Sequence, residues 1–371
     1  MSDRKRICIL PNRLMLGGIE KVLLDALQVL HQEYDIEIIC FRDEKCAAVL
    51  DRIPKDVKVT YRTLPLRWPA KLPYLSRGAY RKALGREQWD HLIVLRPSVL
   101  NAVFAGNAKH TVFWCHNDYH RGFSGENLPL KKRIIKFFRR MVYRKYDMIW
   151  AVSDVVAQEM ETCFSLNNVH ALPNPLDCNA ILGLAQENCD LRFDSDKTNF
   201  VMIGRMSPEK GFQRVLRFMC RDVLDKHPQA RLYLIGNDTD DPRLKRHVEQ
   251  LGMTGRIFLL GPKANPYPYL KQVQCLICPS KSESFGLVIL EAMLLGVRVI
   301  TTDTVGGTYV TQNGTCGCCV ANSDRAIQVA VEDYLENPGA YAGDVEQARQ
   351  WAFAHDISHF GEKLKELLKE C

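Results

Sequence analysis

The chain has 371 residues, 46% of them apolar and 25% charged, with a net charge of +7. That is enough chain for two globular domains, and it excludes disordered and collagen-like classes. The start, MSDRKRICIL, carries an apolar run too short for a secretory signal core, and no stretch approaches the ~20 apolar residues of a membrane span, so a cytoplasmic protein is expected.

In chain order, RICIL, IEIICF, HLIVL, TVFWC, DMIWAV and VHAL predict the strands of a first half, and FVMIG, RLYLIG, RIFLL, CLIC and VRVIT those of a second. Helical spacing marks 18–31, 131–146, 208–220, 242–251 and 287–295 between them. Strands that alternate with helices imply right-handed crossovers and hence parallel sheets, here two doubly wound α/β sets in succession. The polar, proline-containing stretch 173–199 separates the sets. A first domain is therefore expected over 1–178 and a second over 179–354, with a closing amphipathic helix in 355–371. Doubly wound sheets bind ligands at the carboxyl ends of their strands, so the expected site is a deep cleft between the two domains.

The fourteen cysteines predict neither disulfides nor a metal. Cys8, Cys40, Cys115, Cys275 and Cys278 fall inside apolar runs, where a reduced thiol packs as a small hydrophobe. CLIC and CGCC have zinc-like spacing, but no His-x-x-x-His element completes a site.

Charge is uneven. Residues 1–190 hold 28 Lys and Arg against 21 Asp and Glu, and residues 191–371 hold 22 of each, so the whole excess lies in the first half. It concentrates in two acid-free windows, 59–86 and 127–146. In the second, Leu130, Ile134, Ile135, Phe138, Met141 and Val142 recur at helical spacing while Lys132, Arg133, Lys136 and Arg140 take other faces. The pattern predicts a basic amphipathic helix. It would either hold the protein against the anionic cytoplasmic face of a membrane, or pack its stripe on its own sheet with the charges in water.

Three sites follow strand ends. Gly17 and Gly18 open a helix after RICILPN, where free backbone N–H groups make either an anion cradle or a plain glycine turn. After FVMIG come Arg205 and Lys210, cations placed to meet a phosphate. After CLIC, the loop Ser282–Gly286 puts Glu283 at its mouth, and Glu291 falls one turn into a helix that is apolar nearly all round. A carboxylate there needs partners.

The spacing of Glu283 and Glu291 around FGLVILEAM, with upstream GRMSPEKG, GGIEK, WCHNDYH, VSD and PNPLD, resembles the retaining glycosyltransferases of the GT-B fold. That group includes sucrose synthases, lipopolysaccharide core glucosyltransferases and phosphatidylinositol mannosyltransferases. The resemblance implies a nucleoside-diphosphate-sugar donor, with Glu291 on the ribose hydroxyls and Glu283 with the backbone of Phe285, Gly286 and Leu287 on the transferred sugar. It implies Arg205 and Lys210 on the diphosphate, Gly17 and Gly18 close to it, His116 beside the donor sugar, and a last helix that crosses back to the first domain. The acceptor would be lipid-linked or an oligosaccharide, in cell-surface polysaccharide synthesis. No cofactor or metal is implied, since no Asp-x-Asp dyad follows a strand and DTDD at 238–241 reads as a turn. One departure is local: VGGTYVTQNGTCGCCV keeps Gly306 and Gly307 but lacks the proline and acidic residue usual there.

Two other readings share the architecture: a sugar-nucleotide epimerase, and a non-catalytic partner that binds a nucleotide-sugar or glycan. Nucleic-acid binding is a third candidate because of the basic first half, but no recognised module supports it, and nucleic acid is not the expected partner.

Overall fold

Burial on both faces explains the apolar runs, because a parallel sheet covered by crossover helices exposes neither side of its central strands. The computed structural model describes residues 4–15, 17–64, 77–117, 123, 128–341 and 344–371. Seven strands form the first sheet: β1 (Arg6–Leu14), β2 (Asp35–Lys45), β3 (Lys58–Tyr61), β4 (Trp89–Val94), β5 (Ala108–Cys115), β6 (Met148–Ala151) and β7 (Val169–Ala171), in the order β3-β2-β1-β4-β5-β6-β7. Six form the second: β8 (Thr198–Ile203), β9 (Ala230–Ile235), β10 (Ile257–Leu259), β11 (Cys275–Cys278), β12 (Arg298–Thr302) and β13 (Cys318–Val320), in the order β10-β9-β8-β11-β12-β13. Every pairing is parallel. The two doubly wound sheets are thus as the sequence predicts.

β3 and β13 were not predicted, and both are edge strands. An edge strand has one neighbour and is only partly covered, so it needs no continuous apolar run. KVTY is largely half-buried and CCV wholly so. The CGCC stretch is therefore in part a strand, with Cys318 beside Ile300 and Cys319 beside Thr301. CLIC is fully buried as β11, and Cys8, Cys40 and Cys115 are buried in the first sheet.

The chain divides into a first unit, Met1–Pro175 with Ile357–Cys371, and a second, Leu176–Asp356. In each sheet the strand order reverses once, between β1 and β4 in the first and between β8 and β11 in the second. At such a reversal the crossovers on either side depart to opposite faces, which leaves the carboxyl ends of two neighbouring strands open to a ligand.

The helix Ile357–Glu370 belongs to the first unit, and its apolar stripe shows why. Leu364, Leu367 and Leu368 are wholly buried. Phe360 stacks on Trp114 of β5 with ring centres 6.0 Å apart, and Gly361 lies so close to Val29 of the helix Gly18–Leu30 that a Cβ would stand 3.1 Å from it. Lys365 pairs with Glu33 at the rim. Among the described residues, no helix is long and apolar enough to cross a membrane.

Cavity formation at a site this well packed costs about 2–5 kcal/mol, so Leu364→Ala should lower the stability of the first unit by that amount in denaturant unfolding. Ending the chain before Asp356 should destabilise it further. A truncated chain as stable as the full one would overturn this docking.

Candidate functional site

In the second unit, β8 and β11 are neighbours at the strand-order reversal, with Cys275 beside Phe200 and Leu276 beside Val201. The two loops that leave their carboxyl ends, 204–211 and 279–286, are laced together. Gly211 has φ 72°, and a Cβ there would stand 2.2 Å from the carbonyl oxygen of Pro279, so only glycine fits. The Lys281 N–H donates to the Glu209 carbonyl at 2.7 Å. Arg214, a residue that sequence reasoning missed, ties the same loops from below. It is buried, and its guanidinium donates to Pro279 O (3.1 Å), Asn322 Oδ1 (2.7 Å) and Asp324 Oδ1 (2.7 Å). Its neighbours in GFQRVLRF gave no signal, because a clamp between distant loops has no local pattern.

This lacing brings Lys210 and Glu283 together. Lys210 Nζ donates to Glu283 Oε2 at 2.5 Å, with side chains only 30% and 16% exposed. Burial pulls the Lys210 pKa down, but the Glu283 carboxylate outweighs it and the pKa lies above its ordinary value, so the amine is an ammonium. Arg205, on the same loop, is exposed. The two loops thus carry three cations, Arg205, Lys210 and Lys281, and two carboxylates, Glu209 and Glu283.

The rest of the FGLVILEAM stretch is held from behind. Gly306 N–H donates to the Glu283 carbonyl at 2.7 Å, and a Cβ on Gly306 would meet the Phe285 backbone at 2.5 Å, so the helix Val305–Val310 sits directly on Phe285. Thus the Gly306-Gly307 pair retained in the variant loop backs this stretch. Phe285 is buried against Tyr309 and His355, with ring centres 5.6 and 5.8 Å away. Gly286 caps the helix Leu287–Leu294 and its carbonyl accepts from the Ile289 N–H at 2.9 Å, while the N–H groups of Leu287 and Val288 have no acceptor within the helix. Glu291 is buried in that helix, and the Tyr267 hydroxyl lies 3.4 Å from its Oε1. Tyr267 was not foreseen either.

Within the DTDD turn, Asp241 is engaged locally. Asp241 caps the helix Pro242–Gln250, accepting from the Arg243 N–H at 2.7 Å and pairing with its guanidinium at 2.8 Å.

In the first unit, Gly17 caps the helix Gly18–Leu30 in extended backbone. Two turn-end residues missed in the sequence, Glu20 and Arg96, form an ion pair there. Glu20 is buried in the first helical turn, and Arg96 follows β4, the strand beside β1 at the reversal. His116 follows β5 directly, its ring 5.2 Å from that of Trp114. Its Nε2 is enclosed and, among the described residues, unpartnered. Burial, with the nearby Arg96 cation, pushes its pKa down to about 3, so the ring is neutral. Residues 118–120 of WCHNDYH lie outside the described residues, as do 65–76 of the first basic window. Gly17, Gly18 and His116 are thus in one unit, and Arg205, Lys210, Glu283, Phe285–Leu287 and Glu291 in the other.

The basic helix spans Leu130–Tyr143. Lys132 and Arg133 are exposed, Arg140 is half-buried, and Lys136, also half-buried, donates to the Phe123 carbonyl at 3.1 Å. Its apolar stripe is not folded onto the sheet. Leu130 (71% exposed), Phe137 (61%) and Ile134 (48%) face outward, and only Val142 and Tyr143 are buried.

A family model described as Glycosyltransferase Family 4 matches residues 16–180, and one described as Glycosyl transferases group 1 matches residues 186–351. An uncharacterized glycosyltransferase of Methanocaldococcus jannaschii is 25% identical over 66% of this chain, which spans 62% of that relative's length. The lipopolysaccharide 1,6-galactosyltransferase of Escherichia coli is 22% identical, covering 89% of this chain and 84% of its own. Among solved structures, HepE of Anabaena in complex with UDP and glucose superposes with a TM-score of 0.74 over 99% of this chain and 100% of that one, at 17% identity, a likeness of fold. The pair of Rossmann-like parallel-sheet units is that of the GT-B fold, and the chain consists of a Family 4 glycosyltransferase domain over 16–180 and a group 1 glycosyltransferase domain over 186–351.

Proposed function

We propose that the protein is a retaining, metal-independent hexosyltransferase that moves a hexose or N-acetylhexosamine from a UDP-linked donor to a lipid-linked or oligosaccharide acceptor, in cell-surface polysaccharide synthesis. The observation that carries this reading is the contact of Lys210 with Glu283 where β8 and β11 end side by side, with Glu291 buried in the helix that follows. The names of the E. coli relative, a lipopolysaccharide galactosyltransferase, and of the HepE complex with UDP and glucose support the donor and the pathway.

Each group has a task on this reading. Arg205 and Lys210 hold the diphosphate and stabilise the charge that gathers on the leaving β-phosphate. Two fixed cations do what a divalent ion would otherwise do, and Asp241 is already committed to its helix cap and Arg243. Glu283 and the backbone of Phe285, Gly286 and Leu287 bind the hexose, and Glu291 accepts from the ribose hydroxyls. His116, neutral, can both donate to and accept from a sugar hydroxyl without adding positive charge beside the anomeric carbon, where positive charge is building. Gly17 and Gly18 present helix N–H groups near the phosphate. With no enzymic nucleophile invoked, retention follows from attack on the face that the phosphate leaves, and that phosphate takes the acceptor proton.

The outward apolar face of Leu130–Tyr143 favours a membrane-borne acceptor. Leu130, Ile134 and Phe137 can enter the headgroup region while Lys132 and Arg133 meet anionic lipid, with Lys136 and Arg140 nearer the protein body. On this reading the protein works at the cytoplasmic face of the membrane.

Three outcomes test the proposal. Glu291→Ala should weaken nucleoside-diphosphate binding by about 1–3 kcal/mol in calorimetry, the cost of unpaired hydroxyls; an unchanged affinity would sink the ribose assignment. Arg205→Ala and Lys210→Ala should each lower kcat/KM by about tenfold or more in a donor-hydrolysis assay, because their contacts strengthen as phosphate charge develops. If both turned over like the parent, the phosphate site would lie elsewhere. The protein should bind vesicles containing anionic lipid and release as salt rises, with Phe137→Ser and reversal of Lys132 and Arg133 each weakening binding while donor affinity is kept. Indifference to such vesicles at low salt would favour a soluble acceptor.

A further inference from the structure

Lys210 is placed to hold a phosphate, yet it already has an anionic partner. Its Nζ donates to Glu283 Oε2 at 2.5 Å, both side chains are largely enclosed, and the two loops that carry them are fixed to one another through Gly211, Pro279 and Arg214. The lacing keeps the backbones that carry the two charges side by side, so each charge stays within reach of the other. Glu283 also stands beside any phosphate that Lys210 holds, so the carboxylate acts on the nucleotide as well as on the sugar.

We propose that Glu283 competes with the terminal phosphate for Lys210 and so makes the site discriminate against the spent nucleoside diphosphate, which favours its release after transfer. The inference rests on the reading that Lys210 meets the diphosphate. An intact donor carries one negative charge on each phosphate, and its hexose hydroxyls donate to the Glu283 carboxylate, which is then satisfied. Transfer breaks the bond between the anomeric carbon and the β-phosphate oxygen. That oxygen keeps the electron pair, the acceptor oxygen takes the anomeric carbon, and the acceptor proton passes to the phosphate and then to water. The product's terminal phosphate, with a second pKa of about 6, therefore carries nearly one charge more than before at neutral pH. Meanwhile Glu283 has lost the hydroxyls that neutralised its lone pairs. Two anions now share one enclosed ammonium, and the other cations of the two loops, Arg205 and Lys281, are exposed and screened by solvent. The carboxylate is held by the fold and the nucleotide is not, so the nucleotide is the partner that leaves.

The test is calorimetric, with the full chain and whichever of uridine, guanosine and adenosine diphosphate binds most tightly. Glu283→Gln, which keeps hydrogen-bonding capacity and removes the charge, should bind that nucleoside diphosphate about tenfold more tightly than the parent and should not gain affinity for its β-methyl ester, which has the donor's charge. Lys210→Met should lose affinity for the diphosphate, and adding Glu283→Gln to it should recover little, because the cation competed for is gone. The parent protein alone gives a check that needs no variant to fold: it should bind the β-methyl ester at least as tightly as the free diphosphate. An unchanged or weaker diphosphate affinity in Glu283→Gln, with Lys210→Met impaired, would overturn the competition while leaving the phosphate site standing, as would a parent that prefers the free diphosphate more than tenfold. Unchanged affinity in Lys210→Met, or no binding of any of the three nucleotides, would remove the phosphate site and the inference with it.

Discussion

Everything at the candidate site depends on one constraint of parallel sheets: strand order can reverse only where two neighbouring strands send their chains to opposite faces. β8 and β11 are such a pair, and their ends must stay side by side because their register is fixed over Phe200, Val201, Cys275 and Leu276. Two loops that begin a strand spacing apart can bring charged side chains into contact at little entropic cost, since the sheet has already met most of it. Lys210 and Glu283 are 73 residues apart in sequence and 2.5 Å apart in space for that reason. Gly211 and Gly306 are the places where the backbone had to give up a side chain so that the loops could close.

What could be read from the sequence divides along the same physical line. Strands announce themselves by apolar runs where both faces are buried, and eleven runs were recognisable, those of the edge strands β7 and β10 among them. KVTY and CCV were not, because an edge strand with partial cover has no need of that composition. Local arrangements, such as a glycine before a helix or a glutamate within an apolar turn, leave a trace in neighbouring residues, and Gly17, Gly286 and Glu291 were found by it. Partners drawn from distant loops leave none. Arg214 with Asp324, Glu20 with Arg96, and Tyr267 near Glu291 each join segments that only the fold brings together. The phosphate role of Lys210 was read from its place after a strand end and the sugar role of Glu283 from family resemblance; their contact came from the structure alone.

The helix Leu130–Tyr143 shows the limit of pattern reading in another way. Periodicity correctly marks an apolar stripe and a basic face, but it is silent on what covers the stripe. An apolar face on a doubly wound domain is ordinarily the one laid on the sheet. Here the buried residues of the helix are Val142 and Tyr143 at its end, and its earlier part projects Leu130, Ile134 and Phe137 outward. Lys136 and Arg140, equal to Lys132 and Arg133 in the sequence, are drawn inward, one of them onto the Phe123 carbonyl. Position along the helix, and not composition, decides which charges are free to act.

Electrostatics separates the two strand-order reversals more sharply than their shared topology would suggest. In the first unit one cation, Arg96, meets one carboxylate, Glu20, and the adjacent His116 is kept neutral by burial and by Arg96 itself, so the reversal carries no net charge from these groups. In the second unit the two loops carry Arg205, Lys210 and Lys281 with Glu209 and Glu283, which leaves a surplus of one positive charge. On the proposed reading that surplus suits the second unit to a diphosphate, because negative charge collects on the leaving phosphate. The first unit presents a helix N-terminus and a glycine turn as well, but a neutral His116 and an Arg96 already paired with Glu20 leave it no surplus with which to compete for the same anion. That neutrality follows from the burial of Glu20 and the enclosure of the His116 Nε2.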